Sequence, residues 1–131
     1  MTTFSEFMKT REAAADAYCH GSAEEVVELS TAREPASFFG PDGRIVSGVE
    51  PVRSNYRAAA SRFGPQGSNA FRIVHEAEGG DIAYWSGVQE AVVEIDGRPV
   101  PMTLRITELF RREEGEWTLV HRHADMLKAD S

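Results

Sequence analysis

An α+β fold, with helices leading and a long antiparallel meander closing the chain, is what the order of signals along this sequence predicts. Three observations carry it: helical periodicity dominates to about residue 63, strand-like alternation takes over from Ser68, and Gly-Gly, Asp-Gly and Glu-Gly pairs punctuate the second half. At 131 residues, with 41% hydrophobic and 27% charged side chains, the chain has the size and composition of one domain over 1–131 with a core of its own. Acidic residues outnumber basic ones 21 to 14, a net charge of -7 with no compensating basic patch, so no nucleic-acid partner is expected. Cys19 is the only cysteine, which excludes an internal disulfide and a multi-cysteine zinc site and suits a reducing, cytoplasmic setting. Charges recur through Met1–Tyr18 and no later apolar run reaches spanning length, so neither export nor a membrane is expected.

Thr3-Phe4-Ser5-Glu6 has the spacing of a capping box, and Phe4, Phe7, Met8, Ala15 and Tyr18 then fall along one helical face, giving a first helix to about His20. Gly21 ends it, and Ser22-Ala23-Glu24-Glu25 repeats the capping spacing ahead of Val26, Val27 and Leu29, a short second helix. Ala36–Gly40 and Arg44–Ser47 read as a small hairpin turned by Pro41-Asp42-Gly43. Pro51 suits a first helical turn, and Val52, Tyr56, Ala59 and Phe63 carry a third helix to about Phe63. Four strands follow, over 70–78, 82–95, 98–112 and 117–126, with no repeat or linker that would mark a second domain.

The last two turns set an expected register. Read as three-residue loops with Gly97 and Gly115 left-handed, they pair Glu94 with Arg98 and Arg112 with Glu116. Tyr84, Ser86, Val88 and Glu90 then share an apolar face with Met102, Leu104, Ile106, Glu108 and Phe110, and with Val120, Arg122 and Ala124. The opposite face carries Trp85, Thr103, Arg105, Thr107, Trp117, Leu119, His121 and His123; a two-residue Asp-Gly turn would move the first pairing by one. On the apolar face Glu108 is the outlier, readable either as a structural ion pair with Arg122 or as a functional carboxyl in a cavity. His121, His123 and Asp125 alternate as metal ligands do, but a zinc site needs further ligands that nothing here fixes, so they read as interface or cross-strand partners and no metal is expected. No Gly-rich phosphate loop, nucleophile elbow or Cys-His dyad pattern is present.

Three stretches give the chain a resemblance to a known group: Phe39-Gly40-Pro41-Asp42-Gly43 through Ser47-Gly48, Gly80-Asp81-Ile82-Ala83-Tyr84, and above all Arg105–Arg112 running into Glu116–His123. Together they resemble the nuclear transport factor 2-like superfamily, which includes ketosteroid isomerases, SnoaL-like polyketide cyclases and the association domain of calcium/calmodulin-dependent protein kinase; the final hairpin is similar to that of the kinase domain. The resemblance implies a cone-shaped α+β fold, with N-terminal helices packed on a strongly bent antiparallel sheet. Ala14 stands where the isomerases have a tyrosine and Ser37 or Phe38 near their general-base aspartate, so the full isomerase set is not implied, whereas Glu108 matches their second acid. The kinase domain's pocket arginines fall on Ser86, Glu108 and Ala124, so an acidic ligand of that kind is not implied either.

These readings make the chain a small-molecule binding domain with a mostly apolar cavity, open to isomerase- or cyclase-type turnover, or alternatively a non-catalytic assembly module. The candidate catalytic residues are Glu108 as acid or base, tuned by Arg122, and Tyr84 as donor to a carbonyl. Ser86, Glu90 and Arg122 are candidate polar contacts, and Val26, Val52, Ile106 and Val120 candidate walls. The expected partners are a small apolar molecule and a second copy docked through Trp85, Arg105, Thr107, His121 and His123; no cofactor is expected.

Overall fold

Residues 2–128 are described by the structure, a computed structural model. Thr3 starts the first helix as its spacing requires: its Oγ1 accepts the Glu6 N–H at 3.1 Å, and α1 (Phe4–Cys19) runs on until Gly21 takes φ +96°. Ser22 does not cap α2 (Glu24–Leu29) as expected: the N-cap position falls on Ala23, which has no capping side chain, while the Ser22 N–H closes the end of α1 on Ala17 O at 3.0 Å. A three-residue hairpin, β1 (Ser37–Phe39) and β2 (Ile45–Ser47), leads into α3 (Val49–Ala60), which buries Val49, Val52, Tyr56 and Ala60 along one side. Helix α3 stops three residues short of Phe63, where the bonds tighten from i−4 to i−3 spacing at Arg62 and Phe63.

The remaining chain forms β3 (Ser68–Gly79), β4 (Ile82–Ile95), β5 (Arg98–Glu113) and β6 (Glu116–Met126). They make one curved sheet in the order β2-β1-β6-β5-β4-β3, antiparallel except where β1 lies parallel to β6. This is the expected α+β architecture. Helix α1 lies across the concave face and seats Phe4 and Phe7 against Phe110 at 5.1 and 5.5 Å between ring centroids, with Trp117 edge-on to Phe4 at 5.6 Å. Each such ring removed from water contributes roughly 2–3 kcal/mol, so this cluster fixes the helix to the sheet. Glu12 of α1 also accepts the Phe71 N–H of edge strand β3 at 2.8 Å, leaving that edge less open to pairing.

Register is where structure and expectation part. Asp96 and Gly97 both take positive φ, 54° and 76°, and Glu114 and Gly115 take 52° and 83°, so each hairpin closes in two residues, pairing Ile95 with Arg98 and Glu113 with Glu116. The expected Glu94–Arg98 and Arg112–Glu116 closures are not made; a charge pair at an exposed tip is worth at most about 1 kcal/mol and does not outrank turn geometry. In β4 the shift turns Ala83, Trp85, Gln89, Ala91 and Val93 inward and moves Tyr84, Ser86 and Glu90 to the outer face. Strand β6 begins with Trp117 and Leu119 buried, contrary to expectation. A bulge at Val120 then restores the expected inward aim of Arg122 and Ala124.

Gly87 lies where β3 breaks register between Ile73 and His75, and a Cβ there would stand 2.2 Å from Arg72 O and 3.0 Å from Val74 N. Gly87→Ala should therefore lose about 1–3 kcal/mol in urea unfolding through enforced backbone displacement. Gly79→Ala, where a Cβ meets nothing within 4 Å, is the control expected to unfold like the parent.

Candidate functional site

Arg11 occupies the apolar stripe of α1, four residues after Phe7 and three after Met8, and this spacing drives it into the sheet with 2% of its surface exposed. It meets Glu108, which is fully buried at the middle of β5. Arg11 donates from Nε to Oε1 at 2.9 Å and from Nη2 to Oε2 at 2.8 Å, a bidentate pair. Trp85, directly across on β4, donates its indole N–H to Oε1 at 2.8 Å, and Arg122, directly across on β6, donates to Oε2 at 2.8 Å. A second N–H of Arg122 goes to Gln89, whose amide donates in turn to Asn69 at 2.6 Å. Four elements are thus joined through one carboxylate.

Burial alone would push the pKa of Glu108 up, but the charges of Arg11 and Arg122 and their hydrogen bonds outweigh it and hold the carboxyl at about 2. Beside this network a cavity of about 330 Å³ lies between α1, α3 and the concave side of β4, β5 and β6. Arg11 and Arg122 reach it from below, and Tyr18, Phe38, Tyr56, Phe63, Met102 and Leu104 form its walls. It opens beside the β1–β2 turn, where the exposed Asp42, Arg44 and Arg62 stand. Desolvation pushes the Tyr18 hydroxyl up to about 12 and the Cys19 thiol to about 11, and raises Tyr56 further, the nearby Arg122 opposing each shift.

Of the residues singled out from sequence, Arg122 and Val26 line this cavity, and Glu108 lies behind it, screened by the two arginines. Val52 and Ile106 belong to the surrounding core, and Val120 is half-buried at the bulge. Tyr84, Ser86 and Glu90 are on the other face of the sheet: the Tyr84 hydroxyl lies 3.0 Å from His75 Nδ1, and Ser86 bonds to Ile106 O and Thr107. Arg105, Thr107, His121 and His123 do lie on that outer face, Arg105 paired with Asp125 at 2.6 Å and His121 Nδ1 2.7 Å from Ser37 Oγ, but Trp85 has no exposed surface and is not part of it. Among the described residues no three His, Cys, Asp or Glu side chains gather in a metal-binding arrangement, and no helix is long and apolar enough to cross a membrane. Arg11, Gln89, Tyr18 and Tyr56 had not been singled out for the site. The signal for Arg11 is its place in the Phe4-Phe7-Met8-Ala14-Ala15 stripe, where an arginine has to find a buried anion.

This arrangement, helices over a strongly curved sheet with a hollow between them, is the nuclear transport factor 2-like fold. Within that class the chain belongs to the SnoaL-like domain family, whose model matches residues 8–127. Among solved structures it is similar to a candidate dehydratase of the nuclear transport factor 2-like family from Streptomyces avermitilis, with 20% identity, TM-score 0.79 and 95% and 96% of the two chains covered. It is also similar to a candidate calcium/calmodulin-dependent protein kinase type II association domain from Thiobacillus denitrificans (19%, 0.76, 98% of each chain) and to a nuclear transport factor 2-like superfamily protein from Salmonella enterica serovar Typhimurium (15%, 0.77, 98% and 91%). No curated protein matches the chain. At these identities the structural likenesses carry the fold alone.

Glu108→Gln keeps the shape of the side chain but leaves two buried guanidiniums without their anion, and should cost about 3–5 kcal/mol in chemical unfolding. Because the folded-state pKa is depressed from 4.5 to about 2, the stability Glu108 contributes is fully present above 4.5 and is lost as the pH falls through 2. The parent protein should therefore weaken steeply across that window and the variant more shallowly; parallel acid limbs would show that the carboxylate is not held as described.

Proposed function

We propose that the chain is a small-molecule binding domain whose ligand occupies the cavity under α1 and α3. The observation that carries this reading is the hollow itself: interiors are otherwise close-packed, and about 330 Å³ of space beside a buried charged network is at the small end of ligand-pocket sizes. Phe38, Phe63, Met102 and Leu104 provide apolar contact, while the hydroxyls of Tyr18 and Tyr56 have no hydrogen-bond partner among the described residues and supply donors. In this reading Glu108 is a positioning residue. An ionised carboxylate pinned by two guanidiniums and an indole is too weak a base to take a proton near neutral pH, and it aims Arg11 and Arg122 instead.

Native mass spectrometry of gently purified protein should show an adduct of a few hundred daltons, absent from Ala59→Trp, which fills the cavity from α3. An adduct carried equally by both proteins would place the ligand elsewhere. No adduct, together with no change in melting temperature against a panel of small apolar compounds, would leave the cavity without a role.

A second reading, assembly through a second copy, is favoured by one observation. The outer sheet face leaves Ile82 and Leu109 exposed at 55% and 41%, beside Arg105, Thr107 and His123. The two readings are compatible, since the cavity and this face lie on opposite sides of the sheet. Leu109→Arg should convert a dimer to monomer in sedimentation velocity, and an unchanged mass would remove this face as the interface.

A further inference from the structure

The charges around the cavity run against those of the chain. The protein has a net charge of -7, yet its cavity is lined by four arginines, Arg11, Arg44, Arg62 and Arg122, and by a single acidic residue, Asp42. Asp42 is already engaged, accepting from Arg44 at 2.8 Å at the exposed end. At the floor Glu108 neutralises one of its two guanidinium partners, so Arg11 and Arg122, 2% and 8% exposed, retain one positive charge between them. That charge has no counter-ion in the network: among the described residues Nη1 of Arg11 is enclosed without a hydrogen-bond partner, its guanidinium otherwise lying over the Phe71 ring at 5.5 Å, and the hydrogen bonds of Arg122 go to Glu108 and Gln89. An unmatched buried guanidinium is costly, and the adjoining hollow is where a matching anion would fit.

We propose that the ligand is an anion, a monocarboxylate on a small apolar body, whose charged end is received by Arg122 and Arg11 with the hydroxyls of Tyr18 and Tyr56 donating beside them. This rests on the cavity being the ligand site. A monoanion is favoured because the floor carries a single excess charge; a phosphate dianion would leave a buried negative charge in its place. Carboxylate geometry also suits the planar guanidinium fork, and the apolar walls suit a hydrocarbon or aromatic body of modest size. Arg62, exposed at the opening where Arg44 is balanced by Asp42, biases the local field toward anions arriving from solvent.

The test is calorimetric titration of the full chain with two matched pairs, 4-phenylbutyrate against 4-phenylbutyramide and octanoate against octanamide. Each acid should bind at least ~10-fold tighter than its amide, as hydrogen bonds to charged groups are stronger than neutral ones, and Arg122→Gln should abolish the preference. Because Arg122→Gln also disturbs Glu108, a second variant, Arg62→Glu at the exposed end, should weaken the acids and leave the amides unchanged. Acid and amide bound equally by the parent would overturn the anion while leaving the cavity as a ligand site. No binding by any of the four would overturn the anion and the cavity reading together, and an acid preference that survives Ala59→Trp would overturn the placement.

Discussion

Glu108 lies at the middle of β5 with no exposed surface, where an isolated ionised carboxylate would be far too costly in desolvation to persist. Its partners come from three other elements: Arg11 from α1, Trp85 from β4 and Arg122 from β6. Each has to reach a pair of oxygens at a fixed point, so the carboxylate ties the rotation of α1 to three strands whose register the two-residue turns set. Apolar packing of Phe4 and Phe7 on Phe110 holds the helix down, but a smooth apolar contact tolerates sliding by a turn; a bidentate ion pair does not. Since buried ion pairs contribute little net stability against apolar replacements, geometric definition is the physical effect this network has that hydrocarbon would lack.

That definition extends to the cavity. Arg11 and Arg122 are tied to Glu108, and in the case of Arg122 also to Gln89, so their guanidiniums are held at fixed points of its lining. On the other side of the sheet the same strands present Tyr84, Ser86, Arg105, Thr107 and Leu109, so β4 and β5 serve the cavity with one set of alternate residues and the outer surface with the other.

Element identity was largely legible in the sequence because it rests on local signals: the Thr3 cap, the Gly21 stop and the period of α3 are each decided within a few residues. Register was not, because it depends on whether Asp96-Gly97 and Glu114-Gly115 turn in two residues or three, and that choice inverts every side chain beyond it. The placement of Arg122 inward came out as expected only because a missed two-residue turn and a missed bulge at Val120 cancel along β6. In β4 nothing cancels the shift, and Tyr84, Ser86 and Glu90 exchange faces with Trp85 and Gln89. Two observations in the sequence weigh against the three-residue reading: it leaves Trp85 and Trp117 facing solvent while Glu90 joins Glu108 on the core face. The long-range part of the site, Arg11 meeting Glu108 across 97 residues, has no local signature beyond a charge in an apolar stripe.

The electrostatics of the finished cavity bear on what chemistry it suits. Acid–base catalysis needs a group whose pKa lies near the working pH, able to give up and regain a proton. The lining has none: Tyr18 and Cys19 are held protonated at about 12 and about 11 by burial, Tyr56 is raised for the same reason, and Glu108 behind them is held ionised at about 2. Asp42 is held ionised at the opening by Arg44. Every such group is locked in one protonation state, and together they present donors and positive charge without an available base. The isomerase-like acid that Glu108 matches by position would have to be neutral to donate to an oxyanion, and two guanidiniums at 2.8 Å set it in the opposite state. Arg11 on α1, with Arg122 on β6, thus holds the carboxyl at this position ionised.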